Sequence, residues 1–324
     1  MVVFLLRRLM QTAGVLLAVS LVVFLGLYAI GNPAEILLPD DATAAEREAA
    51  IRALGLDQPI WVQYGVFLKN ALTGDLGTSF VYNTPSIELI LQRFPATLEL
   101  AIAALLIAIV LGIPLGLYAG LKPGSRADRT IVTGSILGFS LPNFWQGLML
   151  ILVFSIGLGW LPSSGRGELG TIFGVRTSFA TWDGISHLIL PATNLALFKL
   201  ALVIRLTRAQ VRETMPLDFV KFARAKGLSP MRIVGLHVGK TIAAPIITVI
   251  GMELGSVIAF AVITESIFAW PGMGKLIIDS INKLDRPVVA AYLLVITFLF
   301  IMINFVVDVL YTVLDPRVRL GGRT

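Results

Sequence analysis

Four ionisable side chains fall within or at the edge of long apolar stretches, and they are the residues best placed to do chemistry: Glu99, Lys199, Glu253 and Glu265. An ionisable group in the middle of a membrane-spanning helix costs roughly 2.5–3.5 kcal/mol on insertion scales, so its presence indicates a function by default. Glu253 stands between Gly251 and Gly255. It is expected either to line a solute pathway or to bond between packed helices, and the sequence leaves both roles open.

The other three side chains have narrower expectations. Lys199 lies about 9 Å of helix from Arg205, so its ammonium group is expected to extend to the nearer membrane surface. Glu265 is expected to bond the turn at Trp270 and Pro271 instead of a solute. Glu99 is expected to stay among the lipid headgroups at the start of its helix.

The chain lacks the residue sets of the common enzyme classes. It has no Cys and only two His, which excludes thiolate chemistry and argues against a His-based metal centre. Neither HExxH nor GxSxG occurs, and Gly272-Met-Gly-Lys275 lacks the upstream glycine and the following hydroxyl of a phosphate-binding loop. We therefore predict that this chain has no catalytic residues, no metal site and no ATPase site.

The composition is that of a membrane protein. Of 324 residues, 56% are apolar and 14% charged, with a mean hydropathy of +0.85, whereas soluble domains carry about 45–50% apolar and about 25% charged residues. The pattern predicts an all-α integral membrane protein with six transmembrane helices, near residues 9–30, 97–120, 130–158, 187–206, 240–268 and 287–311. The first helix is expected to be an uncleaved anchor, because its apolar stretch is longer than that of a signal peptide.

The charges predict the orientation. With both termini in the cytoplasm, the inner segments hold 16 basic and 5 acidic residues, and the outer segments hold 9 basic and 12 acidic residues. This distribution follows the positive-inside rule. It also accounts for the net charge of +6, so no nucleic-acid partner is required.

The long outer segment, residues 31–94, is predicted to contain short helices. Thr43 and Glu46 have the spacing of a capping box, and Gly55 is placed to end the helix that they begin. Pro59 is expected to begin a second helix and Pro85 a third, which Pro95 would end. Such a segment could receive a partner, cover a pore mouth, or simply connect two membrane spans.

The inner segment, residues 205–240, contains a short helix bracketed by Pro216 and Gly227. The predicted helix, residues 217–226, is amphipathic and is followed by Ser229 and Pro230, which suit the first positions of the next helix. It could dock a soluble partner, lie in the headgroup layer, or serve only as a basic loop. Within the predicted spans, prolines at 114, 142 and 245 are expected to permit bending of three helices.

The sequence Asp218-Phe-Val-Lys-Phe-Ala-Arg-Ala-Lys-Gly-Leu-Ser229 resembles the cytoplasmic EAA loop of ABC importer permeases, in the version of the dipeptide, oligopeptide and nickel group. The likeness to the B-type subunit of that group continues through most of the chain, at residues 54–64, 74–79, 93–100, 138–145, 265–274 and 314–317. One departure is that Lys221, Phe222 and Ala223 hold the places of Glu, Ala and Ala in the broader EAA pattern.

The resemblance implies a type I ABC importer permease fold in a bacterial inner membrane. It implies four partners: a C-type permease, two cytoplasmic ATP-binding subunits that hold ATP and Mg, and an extracytoplasmic solute-binding protein. The implied domains are an anchor helix at 1–30, an extracytoplasmic segment at 31–94, a transport domain at 95–311 with its EAA-like loop at 214–230, and a cytoplasmic tail at 312–324.

The resemblance also implies roles for particular residues. Coupling to the ATPases is expected of Asp218, Phe219, Lys221, Phe222, Ala223, Arg224, Ala225, Lys226 and Gly227. Direct contact is expected of Phe219, Phe222 and Ala223. The translocation pathway is expected to include Glu253, Pro142 and Asn143.

The solute is expected to be a di- or oligopeptide. Nickel chelates, opines, glutathione and oligosaccharides remain alternatives within the same architecture. A self-sufficient secondary transporter and an intramembrane enzyme are less favoured, because the chain shows neither an inverted repeat nor a catalytic set.

Overall fold

The computed structural model describes residues 2–29, 42–53 and 55–314. Part of the predicted outer segment, residues 30–41 and 54, and most of the predicted tail, residues 315–324 with the end of the motif at 314–317, lie outside the described residues. The chain divides into two compact units, Met1–Phe94 with Leu276–Ile301 and Pro95–Lys275 with Met302–Thr324.

The described chain is almost entirely helical. In chain order its helices are α1 (Val2–Ala29), α2 (Ala44–Ala53), α3 (Ile60–Leu72), α4 (Ser86–Leu121), α5 (Arg126–Ser140), α6 (Asn143–Gly157), α7 (Trp182–Thr214), α8 (Asp218–Ala225), α9 (Pro230–Phe260), α10 (Val262–Ile267), α11 (Met273–Asn282) and α12 (Arg286–Leu314). Two short strands, β1 (Gly170–Ile172) and β2 (Val175–Thr177), form an antiparallel hairpin before α7.

The predicted all-α membrane fold is confirmed. Among the described residues, four helices are long and apolar enough to cross a membrane: Ser86–Leu121, Trp182–Thr214, Pro230–Phe260 and Arg286–Val307. The pair α5 and α6 makes a fifth span if it crosses as one unit. At the position of the remaining predicted span, α1 contains the shorter apolar helix Met10–Gly26.

The third predicted span is broken at Pro142. The axes of α5 and α6 meet at 103°, and Pro142 is the residue that precedes the first turn of α6. Two carbonyl oxygens at the break, those of Gly138 and Leu141, accept hydrogen bonds from the Gln146 side-chain amide at 2.6 and 2.9 Å. A polar side chain therefore satisfies backbone groups that the proline leaves without partners.

The other prolines do not break their helices. Pro95 was expected to end a helix, but α4 runs without interruption through both Pro95 and Pro114. Pro245 likewise lies inside α9. Close packing accounts for the difference at Pro95, since its neighbours Ala96 and Leu100 are fully buried, and tertiary packing overrides local helix propensity.

The first unit has local structure that follows its sequence. Thr43 donates from its backbone N–H to Glu46 Oε2 at 2.8 Å, and the Glu46 N–H donates back to Thr43 Oγ1 at 3.3 Å. These bonds hold the pKa of the Glu46 carboxyl below its usual value and confirm the capping box. In the same unit, the Asp285 carboxylate before α12 accepts hydrogen bonds from the Ser79 hydroxyl and the Phe80 N–H.

The second unit depends on close contact between α4 and α7. Gly112, Gly116 and Gly120 recur every four residues on one face of α4, against α7. A Cβ atom at Gly116 would lie 2.6 Å from Thr207 Cβ and 2.7 Å from the Ile204 carbonyl oxygen. The two backbones therefore approach as closely as they do because these positions carry no side chain.

Gly116→Ala should destabilise the protein, because the added methyl group would force α4 away from α7. Overpacking of this kind costs about 1–3 kcal/mol. The matched control is Gly134→Ala in α5, where nothing lies within 4 Å of the added carbon and alanine improves helix propensity by about 1 kcal/mol. Thermal unfolding of the purified membrane protein should show a lower midpoint for Gly116→Ala alone. Equal midpoints for both variants would contradict the packing described here.

Candidate functional site

The helix α8 has the boundaries that its flanking residues predict. It runs from Asp218 to Ala225, within the predicted range 217–226, and it ends where Gly227 adopts a φ of +75°. That left-handed conformation suits glycine. The Ser229 hydroxyl then accepts a hydrogen bond from the Arg232 N–H at 3.4 Å and caps α9, with Pro230 at the first position as predicted.

Two faces of α8 have different surroundings. Val220 is fully buried and Ala223 is 4% exposed, whereas Phe219 is 40% and Phe222 is 61% exposed. The two buried residues belong to a hydrophobic cluster with one residue of α7 and four of α9: Val211, Ile233, Val238, Ile242 and Ile246. The short helix is thus packed against both long helices that flank it in the chain.

Ala223, for which direct contact with the ATPases is expected, has its side chain against the protein's own core. Residues 220 and 223 share one face of the helix, and residues 219 and 222 share the neighbouring face. The sequence shows two adjacent apolar pairs without indicating which pair packs inward. The exposed surface of α8 and the following turn comprises Asp218, Phe219, Lys221, Phe222, Arg224, Ala225, Lys226 and Gly227.

Charged side chains border the exposed aromatic rings. Lys226 Nζ lies 4.5 Å from the centre of the Phe222 ring, a cation–π distance. Lys221 and Asp218 form an exposed ion pair at 2.9 Å. The exposed surface of α8 therefore combines two aromatic rings with mostly basic charges.

A buried ion pair that the sequence reasoning missed links α5 to α7. Arg208 Nε and Nη2 donate to the two carboxylate oxygens of Asp128 at 2.6 and 3.0 Å, and the Gly124 N–H donates to the same carboxylate at 2.9 Å. Bidentate pairs of this kind fix orientation as well as distance. The sequence offers one signal for this site, which is that Asp128 stands three residues after Ser125, the residue that caps α5.

Lys199 does not extend to a membrane surface, contrary to the expectation. It is 7% exposed, and its Nζ atom lies 2.5 Å from Glu253 Oε2 and 2.8 Å from Ser256 Oγ. The Glu253 carboxylate on α9 neutralises the Lys199 ammonium group inside the protein, so the lysine does not need to extend to water. Glu253 therefore joins α9 to α7, and 23% of its side chain remains exposed.

Asn143 belongs to a different polar group from Glu253. The Asn194 side-chain amide donates to Asn143 Oδ1 at 2.6 Å and to Thr264 Oγ1 at 3.1 Å. Pro142 is exposed at the bend. Among the hydrogen bonds of the described residues, none joins this group to Glu253, so the structure does not bring the three predicted pathway residues into one cluster.

Glu265 has the structural role that was expected. It is fully buried, and its carboxylate accepts hydrogen bonds from Thr97 Oγ1 at 2.6 Å and from the Lys275 N–H at 3.0 Å. Its backbone carbonyl accepts the Trp270 N–H at 2.8 Å. The carboxylate therefore ties α10 to α4 and to the first turn of α11, and the backbone carbonyl bonds the turn at Trp270.

Glu99 does not remain among lipid headgroups, and this expectation is wrong. It is 5% exposed, and its carboxylate accepts hydrogen bonds from Arg166 at 2.5 and 3.0 Å, from Thr177 Oγ1 at 2.6 Å and from the Ser178 N–H. The partners lie more than 65 positions away in the chain, which local sequence patterns do not register. In the part of the chain that the structure describes, no group of three or more His, Cys, Asp or Glu side chains is arranged to hold a metal ion.

Comparisons with known proteins identify the family and the fold. Residues 112–320 match the family described as binding-protein-dependent transport system inner membrane component, and residues 1–101 match the N-terminal membrane component of such systems. A methionine ABC transporter, MetNI, in an inward-facing conformation has the same fold, with a TM-score of 0.57 at 16% identity over 71% of this chain and 97% of that chain. This likeness confirms the predicted permease fold.

Curated relatives match almost the whole chain. The di/tripeptide transport system permease protein DppB of Pseudomonas aeruginosa (strain UCBPP-PA14) is 40% identical over 98% of this chain and 99% of its own length. The dipeptide permease protein DppB of Escherichia coli (strain K12) and the oligopeptide permease protein AppB of Bacillus subtilis (strain 168) are each 37% identical over 98% of this chain. The alignments include 99% of the Escherichia coli protein and 100% of the Bacillus subtilis protein. The resemblance inferred from the motifs is confirmed, and the chain belongs to the family of binding-protein-dependent transport system inner membrane components.

Proposed function

We propose that this chain is the transmembrane permease subunit of an ATP-driven importer for di- and oligopeptides. The observation that carries the proposal is the short helix α8, which is packed between two long apolar helices and exposes aromatic and basic side chains. The peptide assignment is supported by relatives that are named as di/tripeptide, dipeptide and oligopeptide permeases along the whole chain.

The proposed assembly contains partners that supply what this chain lacks. A second, C-type permease would complete the channel, and a solute-binding protein would deliver peptide from outside. Two cytoplasmic ATP-binding subunits would hold ATP and Mg and carry out hydrolysis. We place both termini of the chain in the cytoplasm of a bacterium, with the protein in its inner membrane, because the basic residues are concentrated in the segments that would then lie inside.

The residues from Asp218 to Gly227 are proposed to couple ATP hydrolysis to transport. Phe219 and Phe222 would enter a cleft of an ATP-binding subunit, since they are large, apolar and exposed next to basic side chains. Val220 and Ala223 would transmit the movement, because they are packed against α7 and α9. Displacement of α8 would then move two membrane helices together as a rigid body.

Glu253 is proposed to line the translocation pathway, in a membrane region that also includes Pro142 and Asn143. The apolar window of α9 is only 28% buried within this chain, so most of that helix faces lipid, a partner or a cavity. A carboxylate that is partly exposed in such a helix is unfavourable against lipid. A water-filled pathway between two permeases would instead solvate the Glu253 carboxylate.

The proposed coupling role predicts opposite effects for two neighbouring truncations in α8. Phe222→Ala should leave assembly and the melting temperature unchanged but reduce peptide-stimulated ATP hydrolysis at least about tenfold, which corresponds to about 1.4 kcal/mol of lost contact energy. Val220→Ala is the contrasting variant, because it creates a cavity in the cluster and should lower the melting temperature, which Phe222→Ala leaves unchanged. The measurement is ATP hydrolysis by the complete importer in lipid, with and without binding protein and dipeptides.

Normal stimulation in the Phe222→Ala variant would overturn the coupling role of α8. If wild-type hydrolysis responds to the binding protein loaded with another solute but not with peptides, the importer architecture stands and the peptide assignment falls.

The buried pair Lys199–Glu253 gives a second prediction. Lys199→Met alone leaves Glu253 without its cation, which should lower the melting temperature, since an unpaired buried charge costs up to roughly 3–5 kcal/mol. Adding Glu253→Gln removes the remaining charge and should restore the melting temperature. If Glu253 lines the pathway, the restored double variant should still import labelled dipeptide more slowly than wild type. Import at the wild-type rate would mean that the pair is purely structural.

A further inference from the structure

The helix α3, residues Ile60–Leu72, has an outer surface that is unusual for a helix facing water. None of its 13 residues is buried, and three large apolar side chains are strongly exposed: Trp61 at 73%, Val66 at 53% and Leu72 at 81%. Lys69, in its last turn, is its only charged residue. The helix therefore presents a nearly uncharged face that the described part of this chain leaves uncovered.

The opposite face of α3 contacts α1. The Tyr64 hydroxyl lies 2.9 Å from Ser20 Oγ and 3.4 Å from the Leu17 carbonyl oxygen. The rings of Tyr64 and Phe67 both pack on Phe24, with centroids 5.4 and 5.7 Å away. These contacts attach α3 to α1 in the region of residues 17–24.

The region of contact belongs to the apolar part of α1. Leu17 and Ser20 lie within Met10–Gly26, an apolar part of that helix, and the sequence continues with the apolar residues Leu27, Tyr28 and Ala29. A tyrosine that reaches these positions cannot come from a helix that stands clear of the membrane. Consequently α3 lies against the apolar part of α1.

The neighbouring helix α2 shows what a water-facing helix in the same unit looks like. Three of its ten residues are charged side chains with a polar partner. Glu46 forms the capping box with Thr43, and Glu48 forms an exposed ion pair with Arg52 at 3.1 Å. By contrast, α3 combines exposed Trp61 with Tyr64 and a single lysine near its end. Trp and Tyr are enriched at the boundary between headgroups and acyl chains, and lysine extends from there to water.

We propose that α3 is embedded in the membrane interface, with its uncovered face against the lipid acyl chains. The face comprises Trp61, Val62, Val66 and Leu72, with Lys69 of the last turn on the same side. We take lipid as the occupant because the face continues the exposed apolar surface of α1, which includes Val22 at 69% exposure. On this proposal α3 is an interfacial anchor within the outer segment, and it is not available as a docking surface for a soluble partner.

The chain contains no cysteine, so single cysteines can carry a nitroxide spin label at chosen positions. Labels at Trp61→Cys and Val66→Cys test the face of α3. Val22→Cys on α1 is the matched lipid-facing control, and Glu48→Cys on α2 is the water-facing control. The complete importer, with the cysteines of its partner subunits replaced, is placed in lipid nanodiscs, and label collisions with oxygen and with a water-soluble nickel chelate are measured.

We expect the Trp61 and Val66 labels to collide with oxygen several-fold more than the Glu48 label does, relative to the nickel chelate, and to resemble the Val22 label. Collision mainly with the nickel chelate would overturn the proposal, because the face would then be in water. Protection from both reagents would also overturn it, because the face would then be covered by protein. Two labelled positions keep the test valid if one variant fails to fold.

Discussion

The hydrophobic cluster around Val220 and Ala223 is the contact on which the proposed mechanism depends. A helix of eight residues is too short to be stable alone in water, so α8 persists because these two side chains are buried against α7 and α9. The same burial makes the three helices one mechanical element. Because α7 also packs closely on the glycines of α4, a force applied to α8 reaches several membrane helices without passing through a flexible joint.

Pairing of buried charges is the second constraint on the fold. Glu99 with Arg166, Asp128 with Arg208, and Lys199 with Glu253 each join segments that are far apart in the sequence. In a low-dielectric environment an isolated charge is costly, and a paired and hydrogen-bonded charge is tolerated. Each pair consequently specifies which helices are neighbours, and removal of one member penalises every arrangement in which the other stays buried.

Local signals in the sequence were sufficient for several helix ends. The capping box at Thr43, the cap at Ser229 and the left-handed glycine at 227 act through neighbouring residues, so the sequence shows both partners. Lys199 and Glu99 were misjudged because their partners, Glu253 and Arg166, come from other parts of the chain. Pro95 was misjudged for a related reason, since the packing that keeps its helix continuous is tertiary. The inward direction of Ala223 likewise depends on residues of α7 and α9.

The central claim is that the exposed face of α8 contacts an ATP-binding subunit, and a site-specific cross-link tests it directly. A photoreactive label on Phe222→Cys, in the complete importer in lipid, should form an adduct with the ATP-binding subunit. A label on Phe173→Cys, in the exposed β1–β2 turn, is the control, because α7 separates that turn from α8 by 33 residues, or about 50 Å of helix. The account predicts an ATPase adduct from position 222 and none from position 173. Labelling of lipid or water alone from position 222 would contradict it.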